Sequence, residues 1–139
     1  LHHAAETFVG AMVLDGVLQL HPDLRGGVIE LGAGWVPALL RRLDLIAQIW
    51  KRSESDLAAL KTAPSELISR QMAFTPYPFE DVGAMIRESN PDLYLFSSDY
   101  PHIEGGRNPL GRFETSLEGM SDEVQSKFYS QNMATLLGS

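Results

Sequence analysis

Cysteine is absent from the 139 residues, which excludes disulfides, thiolate metal ligands and cysteine nucleophiles and fits a reducing compartment. Basic charge is also scarce, with 11 Lys and Arg against 18 Asp and Glu for a net charge of -7. The basic residues are scattered, and the Arg41-Arg42 pair falls inside a helical pattern as a solvated face. A nucleic-acid partner, which needs clustered cations, is not expected. No apolar run approaches the roughly 18 residues that span a bilayer, and the first residues lack the blocks of a signal peptide. A cytoplasmic protein with no membrane partner is the expectation. There is no Gly-x-Ser-x-Gly elbow, no His-Glu-x-x-His and no Asp-rich calcium loop, which removes three common enzyme and metal motifs. The chain starts at Leu1 rather than Met, as a processed or truncated product would.

What is present reads as one α/β domain over 1–139. Apolar residues make up 44% and charged residues 21%, an ordinary globular mixture without repeats. The spacing of Phe8, Val9, Met12, Val13, Val17 and Leu20 predicts one helix over 5–20, ended by His21-Pro22-Asp23. A short strand over 27–31 then runs into Gly32-Ala33-Gly34. The next helix starts near Trp35, with Pro37 in its first turn and an apolar stripe of Val36, Leu39, Leu40, Leu43, Ile46 and Trp50. Trp35 and Trp50 are read as core. Residues 51–70 form a polar excursion with one or two short helices. A weak strand over 72–75 leads to the loop Pro76-Tyr77-Pro78-Phe79. Glu80 and Asp81 are placed in the first turn of a third helix, where the macrodipole favours them. A third strand spans 93–97, a Gly-rich loop 105–111, and a last helical region runs from the N-cap Ser121 to Gly138. Strand–helix alternation argues for parallel βαβ units. Three such strands leave apolar edges, so a missing part of the protein or a partner chain is expected to complete the layer.

The chemistry concentrates in Ser97-Ser98-Asp99-Tyr100-Pro101-His102, directly after the apolar run 93–96. Parallel strands open onto the ligand crevice at their carboxyl ends, and Pro101 stiffens the corner carrying Asp99 and His102. In the bland alternative Asp99 caps the next element and His102 is solvated. Glu30 ends the first strand as Asp99 ends the third, so parallel strands would point both carboxylates into one crevice, suiting a hard divalent cation or a proton-transfer pair. A structural hydrogen bond to a neighbouring strand is the other reading of Glu30. His2 and His3 read either as metal ligands or as the remnant of an affinity tag, and His21 as a surface turn residue. Gly32-x-Gly34 lacks the third glycine and the acidic residue of a dinucleotide fingerprint and is read as a tight turn.

Several stretches resemble the C-terminal part of the amidohydrolase-related family that includes aminocarboxymuconate-semialdehyde decarboxylase. They are Gly16-Val17-Leu18-x-x-His21-Pro22-Asp23-Leu24, residues 30–37 with Leu39-Leu40-x-Arg42-Leu43-Asp44, residues 96–102, and Asn132-Met133-Ala134-x-Leu136-Leu137-Gly138. The resemblance implies about strands 6–8, with their helices, of a TIM-like (β/α)8 barrel carrying one divalent metal, usually zinc with manganese as the alternative. It makes Asp99 a metal ligand that orients or deprotonates the metal-bound water, and puts the histidine ligand after strand five near His2 or His3. Where the decarboxylase has a catalytic histidine after strand six, this chain has Leu31 beside Glu30, and the His-x-His pair of the first strand is absent. A full barrel takes about 250 residues.

The resulting expectation is the C-terminal portion of a metal-dependent hydrolase or decarboxylase acting on a small organic acid or amide. Asp99 is its catalytic residue and metal ligand, His102 and Glu30 support the site, and His3 or His2 is a further ligand. The isolated segment is expected to be inactive, with a homo-oligomer or the missing N-terminal half completing it. Two alternatives stand beside this: a non-catalytic barrel fragment or binding module, and a phosphate-binding domain resting on Gly105, Gly106 and Arg107.

Overall fold

Gly16 cuts the first expected helix in two. The structure, a computed structural model, describes residues 2–138, and Gly16 in it takes a left-handed φ of 77° between α1 (His3–Leu14) and α2 (Val17–Leu20). Val9 and Val13 of the expected stripe are fully buried, but Phe8 and Leu20 are 62% and 73% exposed. A single helix through both ends of that stripe is thus corrected by the glycine, whose missing Cβ makes φ above zero inexpensive.

The strand β1 (Gly26–Val28) precedes α3 (Val36–Trp50), which has Pro37 in its first turn as expected and Val36, Leu39, Leu40 and Leu43 buried. Trp50 is 53% exposed, so only Trp35, half-buried and edge-on to Phe74 at 5.4 Å, meets the core. The excursion holds α4 (Ser55–Ala59) and α5 (Pro64–Gln71). It returns to β2 (Met72–Phe74), which pairs with β1 in parallel, Gly26 opposite Met72 and Val28 opposite Phe74.

The third strand is reduced to one parallel bridge between Tyr94 and Phe74. Asn90 accepts from the Asp92 amide and opens a 3-10 turn over Pro91–Leu93 that consumes the start of the apolar run. The Leu95 amide still reaches the Phe74 carbonyl at 2.9 Å, but the Phe96 amide has already turned to Phe128. Asn132 takes the Tyr94 carbonyl at 2.9 Å, so a side chain stands where a further strand would pair. An apolar run cannot reveal such a capture.

α6 (Val82–Glu88) starts after both acids expected in its first turn, because Asp81 is its N-cap and Glu80 reaches elsewhere. Part of the Gly-rich segment and the residues after it form a further helix, α7 (Pro109–Ser116). A Cβ on Gly83 would collide with the Ser116 carbonyl, so Gly83 lets α6 lie against α7. The last region, α8 (Asp122–Ser126), a π turn over Lys127–Gln131 and α9 (Asn132–Leu137), starts at Ser121 and ends at left-handed Gly138 as expected. Phe96, Phe113, Phe128 and Tyr129 pack edge-on or tilted with centroids 5.0–6.1 Å apart, locking this region onto the Tyr94 segment. Among the described residues no helix is long and apolar enough to cross a membrane.

The Asp81 cap gives a testable acid dependence. Its Oδ1 accepts from the Ala84 amide at 2.9 Å and from the Ser116 hydroxyl at 2.8 Å. These bonds, the Ala84 amide foremost, hold its pKa below the ordinary 3.8. A depressed folded-state pKa adds stability that is complete above the ordinary value and lost as pH falls through the folded one. Asp81→Ala is expected to cost about 1 kcal/mol at neutral pH, the usual worth of an N-cap, with the gap to wild type closing below pH 3.8. Thermal unfolding across pH checks this, and a gap that persists at low pH would show that the bond does not depend on the ionised carboxylate.

Candidate active site

Because β1, β2 and the Tyr94 segment are parallel, their carboxyl ends open on one side, and the residues beyond them converge there. Glu30 follows β1 and Asp99 follows the Tyr94 segment. Among the described residues these two are the only non-glycines with positive φ, at 61° and 56°. Each such conformation costs about 1–3 kcal/mol and persists only where the surroundings hold it. The Glu30 amide donates to Thr75 Oγ1 at 3.0 Å, and the Tyr77 hydroxyl donates to the Glu30 carbonyl at 2.8 Å. The backbone of Glu30 is thus tied to the segment after β2, and its exposed carboxylate lies on the side of His102.

His102 sits between the two acids. Its Nδ1 is 3.4 Å from Asp99 Oδ1 and 3.8 Å from Glu30 Oε1, and its amide donates to the Asp99 carbonyl at 2.8 Å. One ligand atom from each of the three lies within 4.8 Å of the others. Asp99 is only 8% exposed, whereas Glu30 and His102 are exposed. Asp99 Oδ2 is buried with no hydrogen-bond partner. A buried, unsatisfied carboxylate oxygen is costly and calls for an explanation. Asp99 does not cap the next element through its side chain. The 3-10 turn over Ile103–Gly105 begins at His102, without a side-chain cap.

His2 and His3, expected as ligands of the same ion, fall in a second group with Glu6, again closed within 4.8 Å. His3 lies 3.8 Å from Glu6, which also binds Arg42 at 3.1 Å, and His2 stacks on Trp35 at 6.0 Å. The donors anticipated for one centre are therefore divided between two. Gly105, read as part of a phosphate loop, has another reason to be glycine: a Cβ there would lie 2.5 Å from the Ser98 carbonyl oxygen and 3.2 Å from the Asp99 backbone. It lets the chain close behind Asp99.

Tyr77 was not among the expected site residues. Burial first, then the charges of Asp99, Glu104, Glu80 and Glu30, raise its pKa above 10.0, so it remains a hydroxyl donor at neutral pH. The available signal was its place in the loop at the carboxyl end of a strand.

The solved structures that this chain resembles include two that match almost its whole length. An amidohydrolase from Mycobacterium avium subsp. paratuberculosis K-10 matches 94% of it with TM-score 0.78 and 30% identity. The 5-carboxyvanillate decarboxylase LigW from Sphingomonas paucimobilis matches 94% with TM-score 0.68 and 22% identity, a likeness of fold. This chain spans 32% and 38% of the lengths of these two proteins. No family model and no curated protein matches it.

Proposed function

We propose that the chain, 30% identical over 94% of its length to a solved amidohydrolase, belongs to the amidohydrolase superfamily and forms the C-terminal part of a metal-dependent hydrolase or decarboxylase acting on a small organic acid or amide. The observation that carries the reading is the convergence of Glu30, Asp99 and His102 around the unpartnered Asp99 Oδ2. β1, β2 and the Tyr94 segment are in this reading strands six, seven and eight of the barrel. The outer edge of β1 supports it: β1 pairs with β2 alone among the described residues. Beside it runs an apolar groove of about 700 Å³ lined by Phe8, Leu24 and Ile29, all substantially exposed. The remaining barrel strands, or a second copy of the chain, would cover that groove.

The donor set fits a divalent cation. Two carboxylates and an imidazole suit zinc or manganese, and the buried Asp99 oxygen lacks the partner such an ion would be. Asp99, with His102 and Glu30, would hold it. Bound there, zinc or manganese would polarise a substrate carbonyl or carboxylate and make a water nucleophilic near neutral pH. The side chains supply the rest. Asp99, fixed and buried, sets the position of the centre. His102, its Nδ1 3.4 Å from Asp99 Oδ1 and its ring open to solvent, would give the ion its imidazole donor. Glu30, exposed and 3.8 Å from the same nitrogen, would close the donor set on the solvent side.

Elemental analysis of the full-length protein before and after chelation tests the reading. About one divalent ion per chain, lost together with turnover of amide or carboxylate substrates, is expected from a single mononuclear site. Turnover that survives complete removal of the metal would overturn it.

A further inference from the structure

Glu80 spends its entire carboxylate on backbone amides of two loops. Oε2 accepts from Ala33 at 2.9 Å and from Tyr77 at 2.8 Å, and Oε1 accepts from Gly34 at 2.9 Å. The donors lie 46 and 47 residues away in the turn after β1, and three residues away in the loop after β2. Gly32 and Gly34 make room for this. A Cβ on Gly34 would lie 2.9 Å from Glu80 Oε1, and one on Gly32, itself at φ 66°, 2.9 Å from the Tyr77 ring. The glycine pair that resembles the start of a nucleotide fingerprint therefore surrounds an internal carboxylate, which already occupies the amides a phosphate would need.

The bonds converge on one strained residue. Glu30 stands in the left-handed region, its amide held by Thr75 and its carbonyl by the Tyr77 hydroxyl at 2.8 Å. Glu80 fixes the Tyr77 backbone on one side and the turn following Glu30 on the other. We propose that Glu80, through Tyr77 and the Gly32–Gly34 turn, is the positioning residue that keeps Glu30 left-handed with its carboxylate beside His102. This rests on the reading of Glu30, Asp99 and His102 as one centre. Glu80 has no contact with Asp99 or His102 in its hydrogen bonds, so its effect passes through the backbone.

Glutamine cannot replace it. Its amide offers one acceptor oxygen to three N–H donors and turns an NH2 group towards at least one of them. Aspartate keeps both oxygens but is one methylene shorter. Tyr77→Phe removes a single hydroxyl and leaves the ring against Gly32, which keeps the proposal testable should Glu80→Gln fail to fold.

The test uses the full-length protein and Zn2+ as probe, reading the Zn2+ dissociation constant, amide hydrogen exchange at residues 30–34 and 77, and the metal-free unfolding midpoint. Glu80→Gln is expected to weaken Zn2+ binding about 10-fold or more, within the ~10–100-fold usual for groups that orient metal ligands, and to speed exchange at Ala33, Gly34 and Tyr77. Glu80→Asp should recover part of the affinity, and Tyr77→Phe should show a smaller loss. Faster exchange with unchanged Zn2+ affinity in both Glu80→Gln and Tyr77→Phe would overturn the proposal and leave Glu80 a purely structural tie. If wild type binds no Zn2+, the metal reading itself fails. Positioning is then decided by NMR: shifted Glu30 carboxyl and His102 ring resonances in Glu80→Gln uphold it, and unmoved ones refute it.

Discussion

Asp99→Asn in the full-length protein is expected to lose metal and turnover while the metal-free form remains at least as stable as wild type. The two halves of this result have one cause. Asp99 is buried at the carboxyl end of the Tyr94 segment, with Oδ2 lacking any partner and Oδ1 answered only by His102 at 3.4 Å. Without a cation, that arrangement holds a carboxylate away from water with little to compensate it. Asparagine keeps the shape and removes the charge, so folding loses little. Metal binding loses its fixed anionic donor, and the deficit should exceed the ~10–100-fold typical of a group that merely supports a ligand. Retained metal with full turnover would remove the central assignment. A large drop in the metal-free midpoint would show instead that the carboxylate serves the fold.

Phe74→Ala is expected to cost about 3–5 kcal/mol, the usual range for truncating a buried aromatic, and so a large share of the ~5–15 kcal/mol that holds a domain together. Phe74 is fully buried, takes the edge of Trp35 at 5.4 Å and offers its carbonyl to the Leu95 amide. It is the residue through which β1, β2 and the Tyr94 segment meet, being opposite Val28 on one side and Tyr94 on the other. Thr75, which holds the Glu30 amide, comes next in the chain. The cavity should therefore disturb the site as well as the core. Urea unfolding measures the loss, and a change below about 1 kcal/mol would mean that the side chain is not the keystone its burial implies.

Much of the architecture is carried by local signals that a linear reading can detect. Apolar runs ended by glycine and proline place β1, β2 and the start of α3. Pro37, Ser121 and Gly138 mark helix ends because capping depends on a few adjacent backbone groups. The three-residue spacing of Asp99 and His102 was likewise visible, and a parallel arrangement of strands was enough to bring Glu30 towards them. The same local reasoning went astray where a distant group intervened. Asn132 captures the Tyr94 carbonyl from 38 residues away, on the side of the third strand that faces away from β2. Glu80, which looks like a favourable charge at a helix start, binds a turn 46 residues earlier.

By itself, then, the amino-acid order determined where β1, β2 and the start of α3 fall, that cysteine chemistry is excluded, and where acids and an imidazole cluster at strand ends. Only the tertiary structure decided that Glu30 and Asp99 share left-handed backbones, that His2 and His3 join Glu6 rather than Asp99, and that Gly105 is small to admit the Ser98 carbonyl. The physical reason is range. Backbone propensity and capping act over a few residues, whereas the bonds that hold strained or buried groups are made between segments whose proximity no spacing along the chain encodes.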